Sequence, residues 1–262
     1  YNAQTKNPNW VAWHLTRAHT RGQNQRSSEH FTEDTDVKAP RATDRDYYNS
    51  RYDRGHMCPA GDNKWDATAM QQSFLFTNIC PQNHGLNKYE WNDLEIRCRE
   101  WAQQYGAIDI VCGPIYDHPQ NPKTVGRNKV WVPDRFFKVI LCRQGTPKAI
   151  GFIYRNEGVK QTVSEAVCTV DEVERLTGID FYPALDDKTE QRVEASDERL
   201  ESRFEYSQAQ AAFTYTSAET PLPTGAQLAQ IQFQLIRELA EEGPCVIVGR
   251  CANHIQIGRA SC

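Results

Sequence analysis

Four short apolar runs between residues 108 and 154 constrain the fold of this chain more than any other feature. They cover residues 108–112, 129–132, 136–141 and 149–154 and are separated by Gly, Pro and Asn. Apolar runs bounded by such residues are typical of strands joined by turns. An alternating segment at 10–15 predicts an earlier strand, and an aromatic run at 73–78 predicts another that ends at Pro81. We expect a mixed, largely antiparallel sheet.

Two segments have helical spacing instead. Apolar residues at intervals of three and four predict a helix over 88–105 that ends at Gly106. A shorter helix is predicted over 170–177, with Gly178 as its stop. Together with the strands, these helices give an α+β fold in which helices flank the sheet.

The composition changes after residue 186. Asp, Glu, Lys and Arg dominate residues 186–205, and Gln, Ala, Thr, Ser and Pro follow over 206–227. We therefore predict one domain over residues 1–195 and a separate unit over 196–262. In that unit a helical pattern at 225–242 leads into an apolar strand at 245–250, which is a helix–strand fragment without neighbouring strands.

Charge is distributed unevenly along the chain. Residues 1–150 carry 20 Lys+Arg against 16 Asp+Glu, a net of +4, whereas residues 151–262 carry 10 against 18, a net of −8. A surface that binds phosphate is therefore expected in the first part. No apolar run is long enough to cross a bilayer, so no membrane partner is predicted.

The nine cysteines include no Cys-x-x-Cys pair, which disfavours a zinc ribbon. Cys98, Cys112, Cys142 and Cys168 lie among apolar residues and are expected to be buried. Cys58 and Cys80 each precede a proline, and we expect them to pair as a disulfide if the protein is exported.

Residues 53–56 read Asp-Arg-Gly-His, and an amide-rich run at 82–87 follows about thirty residues later. His56 suits a general base, because an imidazole can take a proton from water near neutral pH. Arg54 can bind a phosphate through its planar guanidinium. Asn87 offers an amide oxygen to a hard cation such as Mg²⁺. These residue types together fit the hydrolysis of a phosphodiester.

Glu95 and Arg99 extend this set. If Asn87 and Glu95 share one helix, they are roughly 12 Å apart along its axis but face similar directions. We therefore expect Asn87 to bind the metal directly and Glu95 to act through a metal-bound water. Arg99 lies one turn further and either pairs with Glu95 or reaches the phosphate. Asp53 is assigned to the substrate side, where it orients the loop or pairs with an arginine.

Each residue also has a structural interpretation. His56 alone is a turn residue, and Glu95 with Arg99 alone is an exposed ion pair. His84 is either a second metal or phosphate contact or, as we expect, a solvent-facing loop residue. The combination of residues favours the catalytic interpretation.

Residues 53–60 (Asp-Arg-Gly-His-Met-Cys-Pro-Ala), with Asn87 and Glu95 downstream, resemble the DNA/RNA non-specific endonuclease family, whose members carry the ββα-metal motif. The resemblance covers residues 8 to about 195 and includes the segments at 9–13, 77–82, 112–115 and 132–139.

The resemblance implies hydrolysis of DNA and RNA with little sequence preference, leaving 5′-phosphate ends. It implies one Mg²⁺, with Mn²⁺ as a substitute, held by Asn87 and waters, with His56 activating the attacking water and Glu95 and Arg99 assisting. It also implies an upstream arginine at the phosphate, for which Arg26 is our choice over Arg17 and Arg41. A secreted or periplasmic location follows from the family. The sequence leaves open an inhibitor protein and a homodimer.

Residues 197–262 resemble part of the bacterial cytidylate-kinase-like proteins. The chain contains no Gly-x-x-x-x-Gly-Lys-[Ser/Thr] loop, so we expect no kinase activity from this incomplete fragment. The alternative to a nuclease is a nucleic-acid-binding module of the same fold with weak catalysis, which is disfavoured because His56 and Asn87 are both present.

Overall fold

A five-stranded antiparallel sheet organises the computed structural model, which describes residues 1–26 and 29–195. The strands of the described part are β1 (Val11–Thr16), β2 (Tyr52–His56), β3 (Ile79–Asn83), β4 (Ala107–Ile115), β5 (Thr124–Val125), β6 (Val130–Trp131), β7 (Arg135–Cys142), β8 (Lys148–Arg155) and β9 (Val167–Cys168). The large sheet has the order β1-β4-β7-β8-β9, and every neighbouring pair is antiparallel. The predicted antiparallel sheet is confirmed.

The helices of the described part are α1 (Asp44–Tyr47), α2 (Ala67–Gln72), α3 (His84–Lys88), α4 (Glu90–Tyr105), α5 (Val163–Ala166), α6 (Val170–Thr177) and α7 (Asp187–Glu194). The sheet and these helices give the α+β class predicted from the sequence. The predicted unit over residues 196–262 lies outside the described residues.

Side chains alternate along each strand, so every strand presents residues to both faces of the large sheet. Other elements pack on both of these faces. One face, here called the first face, carries Phe136 and Ile140 of β7, which pack into a core with α4. The opposite, second face carries Phe137, Val139 and Leu141, which pack with residues of α6 and α7. The sheet therefore separates two layers with different neighbours.

Helix α4 buries one stripe on the first face. Its buried residues are Trp91, Leu94, Cys98, Trp101 and Ala102. The helix ends before Gly106, whose φ of 87° lies in the region that favours glycine. The predicted helix is confirmed, with its start at Glu90 instead of 88.

Strands β2 and β3 form a separate two-stranded sheet, which leads directly into α3 and α4. This is a ββα arrangement. The strand predicted at 73–78 is wrong, because residues 76–78 form a short 3-10 helix and β3 begins at Ile79. The buried Asn78 accounts for the difference. Its side chain accepts from the Cys58 amide and donates to the Cys58 and Ser73 carbonyls, which fixes a turn instead of a strand.

The last part of the described chain packs on the second face of the sheet. Helix α6 stops at Gly178 as predicted, and this glycine adopts the left-handed conformation. Phe181 and Tyr182 are then buried, and the Tyr182 hydroxyl donates to the Asp109 and Val139 carbonyls across the sheet. Phe181 and Tyr182 therefore hold the segment between α6 and α7 against the sheet.

Cys98, Cys112 and Cys142 are buried as predicted, whereas Cys168 is half-buried. Cys58 and Cys80 are buried free thiols, so the disulfide considered for them is absent from the structure. Among the described residues, no helix has the length and apolar character required to span a membrane.

Candidate active site

The hairpin of β2 and β3 places the Asp-Arg-Gly-His segment inside a strand. Asp53 lies opposite Gln82, and Gly55 lies opposite Cys80. A Cβ atom at Gly55 would lie 2.2 Å from Oε1 of the buried Gln82, so this position accepts only glycine without rearrangement. The glycine therefore allows close packing in a strand, where the sequence had indicated a turn.

Asp53 binds two side chains of α3 and connects the hairpin to this helix. Asn87 Nδ2 donates to Asp53 Oδ2 at 2.9 Å, and His84 Nδ1 lies 2.9 Å from the same oxygen. An ionised carboxylate only accepts hydrogen bonds, so the nitrogen of the Asn87 amide must face Asp53 and its oxygen points away. Asp53 thereby orients the proposed metal ligand. His84 is solvent-facing as expected and also has a partner in Asp53.

His56 ends β2 and is packed between aromatic rings. Its ring centroid lies 5.4 Å from that of Phe31 and 4.9 Å from that of Phe74. Burial, assisted by the positive charge of Arg26, lowers the pKa of His56 to about 3. Its Nε2 atom is buried and has no hydrogen-bond partner. At neutral pH the ring is therefore uncharged, the form that can accept a proton.

Of the three upstream arginines, the structure brings Arg26 to this site. Its guanidinium lies 6.0 Å from the Phe74 ring centroid, and its charge lowers the pKa values of His56 and Glu95. Arg17 instead donates to the Gln103 carbonyl, and Arg41 pairs with Glu33. Arg26 is exposed, so it is accessible to a nucleic acid.

Arg54 is held by another partner. Its Nε donates to Asp44 Oδ1 at 2.7 Å, and its guanidinium lies 5.6 Å from the Phe31 ring centroid and 5.7 Å from that of Tyr47. It contacts the same Phe31 ring as His56 does. A direct contact between Arg54 and phosphate remains a prediction, and it would require the guanidinium to share or leave Asp44.

Asn87 and Glu95 lie on different helices, which corrects the assumption of one continuous helix. The chain breaks at Tyr89, whose φ of −113° and ψ of −86° separate α3 from α4. The rotation and rise calculated from the sequence therefore do not apply across the break. Glu95 is half-buried, and desolvation raises its pKa to about 7 against the opposing charges of Lys138, Arg99 and Arg26.

Arg99 pairs with Asp62 and not with Glu95. Arg99 Nη1 donates to Asp62 Oδ1 at 2.9 Å, and Trp13 Nε1 donates to Asp62 Oδ2 at 3.0 Å. Asp62 is almost fully buried, and burial raises its pKa although the neighbouring cations oppose the shift. Gly61 makes room for the pair, since a Cβ atom there would lie 2.9 Å from Arg99 Nη1. Asp62 was missed because nothing in its local sequence marks it.

Lys138 was also missed, although the sequence contains a signal for it. It is a single charged residue in the apolar run at 136–141, and in β7 it is fully buried on the first face. Its Nζ has no hydrogen-bond partner and lies 4.3 Å from the Trp91 ring centroid. Its charge lowers the pKa values of Glu95 and Asp62. A lysine retained inside such a core indicates a role in the charge balance of the site.

The residues of this site fit a hard divalent cation. The amide of Asn87 is fixed so that its oxygen faces away from Asp53, and the buried His56 has an unpartnered ring nitrogen. Oxygen donors and few charged ligands are typical of Mg²⁺ sites, in which the ion keeps several waters. Asn87 would hold the ion, and Glu95 would contact its waters.

The fold and this site define a ββα-type nuclease domain. The family model for the DNA/RNA non-specific endonucleases matches residues 1–188, and the chain belongs to this family of nucleases.

Several curated proteins are similar to the chain. "Nuclease EXOG, mitochondrial" of Xenopus laevis is 35% identical over 201 residues, which cover 71% of this chain and 56% of that protein. "Endonuclease G, mitochondrial" of Bos taurus is 32% identical over 198 residues, covering 71% and 66% of the two chains. The chain thus spans about half the length of the first of these relatives and two thirds of the second.

A solved structure agrees with the fold. The crystal structure of the EndoG/EndoGI complex superposes with a TM-score of 0.68 at 27% identity, covering 72% of this chain and 84% of that one. The curated relatives are named as mitochondrial nucleases, so the comparisons do not support the secreted or periplasmic location expected from the sequence.

Proposed function

We propose that this domain hydrolyses phosphodiester bonds within DNA and RNA without sequence preference, leaving 5′-phosphate ends, with Mg²⁺ as its cofactor. The observation that carries the proposal is the hydrogen bond from Asn87 to Asp53, which fixes an amide oxygen on α3, the helix that follows the β2–β3 hairpin in which β2 presents His56. Mn²⁺ is the expected substitute metal.

His56 takes the proton of the attacking water. Its packing between Phe31 and Phe74 fixes the ring orientation. When bound, the cation supplies charge neutralisation at the phosphate and the departing oxygen. Arg26 supports the phosphate from the exposed side, and Arg99, whose side chain is partly exposed, is held by Asp62.

The alternative of a binding module with weak catalysis is less well supported. Such a module would not need an amide oxygen fixed for a cation, and the hydrogen bond from Asn87 to Asp53 supports such an orientation here. The similar solved structure is of an EndoG/EndoGI complex, so a protein inhibitor of this domain is a further proposal for this chain. A mitochondrial location is proposed on the names of the relatives.

The proposal is tested by incubating circular DNA and RNA with the protein in Mg²⁺ and in chelator. We expect cleavage of both in Mg²⁺ and none in chelator. Asn87→Ala should raise the Mg²⁺ concentration for half-maximal cleavage on the order of 10–100-fold, as loss of a site-forming group does. Asn121→Ala, at an exposed loop position, is the matched control and should behave as wild type. Cleavage that persists in chelator would rule out the metal-dependent mechanism.

A further inference from the structure

Five carboxylates lie close together on the second face of the sheet, apart from the β2–β3 hairpin. Ligand oxygens of Asp171, Glu174 and Glu194 lie within 4.8 Å of one another, and so do those of Asp180, Glu190 and Glu194. They come from α6, the loop that follows it, and α7. Glu194 belongs to both groups, so it is the centre of the cluster.

Glu194 is buried, with 9% of its surface exposed, and its Oε1 has no hydrogen-bond partner. A buried carboxylate oxygen without a donor is costly, and such groups in native proteins usually have a partner. Burial, together with the charges of Glu174, Glu190, Asp171 and Asp180, raises the pKa of this carboxyl to about 8. The cluster therefore concentrates negative charge around an oxygen that lacks a donor.

We propose that Glu194 and the carboxylates around it bind a hard divalent cation of the Ca²⁺ type. Oxygens that bind one Ca²⁺ at 2.3–2.6 Å lie no more than about 5 Å apart, and the separations within each group meet this limit. Neither group contains a histidine or cysteine, which disfavours zinc. Mg²⁺ is the weaker candidate because it prefers few carboxylates and keeps its waters.

The bound cation connects α6 to α7. Val173 of α6 and Val193 of α7 are buried in the same core on the second face, so the carboxylates are carried by elements already packed on the sheet. Glu174 also accepts a hydrogen bond from the Phe181 amide at 2.8 Å, which fixes one candidate ligand. The site is thus structural, and it is separate from the proposed Mg²⁺ site at Asn87.

The proposal is tested on the full 262-residue chain by Ca²⁺ titration in a calorimeter and by thermal unfolding. Wild type and Asn87→Ala should both bind Ca²⁺ at the cluster, and Glu194→Gln should lose that binding. Saturating Ca²⁺ at about a hundredfold excess over its Kd should raise the Tm of wild type by about 5–10 °C relative to chelator. This shift should vanish in Glu194→Gln.

Two further variants keep the test decisive. Glu172→Gln, an exposed position on α6 outside both groups, should retain the Ca²⁺-dependent shift. Asp180→Asn changes an exposed loop residue of the cluster and should weaken Ca²⁺ binding even if Glu194→Gln fails to fold. Equal Ca²⁺ binding by wild type and the cluster variants, or a wild-type Tm that does not respond to Ca²⁺, would overturn the proposal.

Discussion

The two faces of the large sheet both bury carboxylates, but different groups surround them. On the first face, Glu95 and Asp62 lie close enough to Lys138 and Arg99 for these cations to lower their pKa values. On the second face, the groups that act on Glu194 are further carboxylates. Desolvation raises the pKa of Glu95 to about 7 and that of Glu194 to about 8. The first face therefore balances its charge within the chain, whereas the charges that act most strongly on Glu194 in the described part of the chain are all negative.

The largest effect in this comparison is expected from Lys138→Met. Removing the buried cation raises the pKa of Glu95 further, so less of this group is ionised at neutral pH. Cleavage of circular DNA at pH 7 should fall on the order of 10–100-fold, as for other residues that position a metal site. The fold should survive, because Met fills the space of the lysine side chain and Asp62 keeps its partner Arg99.

Lys148→Met provides the matched control for this change. Lys148 also lies over an aromatic ring, with its Nζ 4.5 Å from the Tyr105 ring centroid, but it is outside the Glu95 cluster. Lys148→Met should cleave circular DNA as wild type does. If Lys138→Met cleaves equally well, Lys138 contributes to packing only and the first face does not depend on its internal cations.

The second prediction concerns the pH dependence of the Mg²⁺ requirement, which we assign to Glu95. Its pKa of about 7 means that lowering the pH from 8 to 6 reduces the ionised fraction about tenfold. The Mg²⁺ concentration for half-maximal cleavage should rise by about this factor, since protonation removes the negative charge of Glu95 that stabilises the metal-bound waters. Glu95→Gln should cleave more slowly at pH 8 and lose most of this pH dependence. An unchanged pH dependence would exclude Glu95 from the metal site.

The smallest effect is on stability and concerns Glu194 on the second face. The pKa of Glu194 is about 8, above its ordinary value of 4.5, so between these values the folded state binds more protons than the unfolded state. Its contribution to stability is therefore present below pH 4.5 and is lost as the pH rises to about 8. In chelator, the free energy of unfolding should fall less between pH 5 and 8 in Glu194→Gln than in wild type. Urea denaturation of both proteins, with Glu172→Gln as control, measures the difference.

The sequence predicted those parts of the fold that depend on local pattern. Short apolar runs bounded by turn residues, with the alternating segment at 10–15, predicted most of the large sheet, and the spacing from Trp91 onward predicted α4 with its stop at Gly106. The strand at 73–78 failed because the Asn78 side chain makes long-range hydrogen bonds to Cys58 that no local pattern reveals. The break at Tyr89 escaped prediction for a similar reason, since its flanking residues have ordinary helical composition.

The candidate site likewise contains residues that the sequence predicted and residues that it did not. Residues 53–56, Asn87 and Glu95 were found because they form a spaced motif. Their partners were not, because Asp62 lies in a short 3-10 helix over residues 60–62 and Lys138 lies in the distant strand β7, and neither belongs to the spaced motif. Lys138 could have been noticed as a charge within an apolar run, but only the structure shows that it faces Glu95 and Trp91.

The most direct test of the account is the rate at which His56→Ala cleaves circular DNA at saturating Mg²⁺, measured beside His118→Ala. His118 is exposed in the loop between β4 and β5, so it controls for loss of a histidine. The account predicts that His56→Ala, shown to be folded by circular dichroism, cleaves at least about 10²-fold more slowly, as expected for a general base. His118→Ala should match wild type. Undiminished cleavage by His56→Ala would contradict the assignment of the catalytic base and the site built around it.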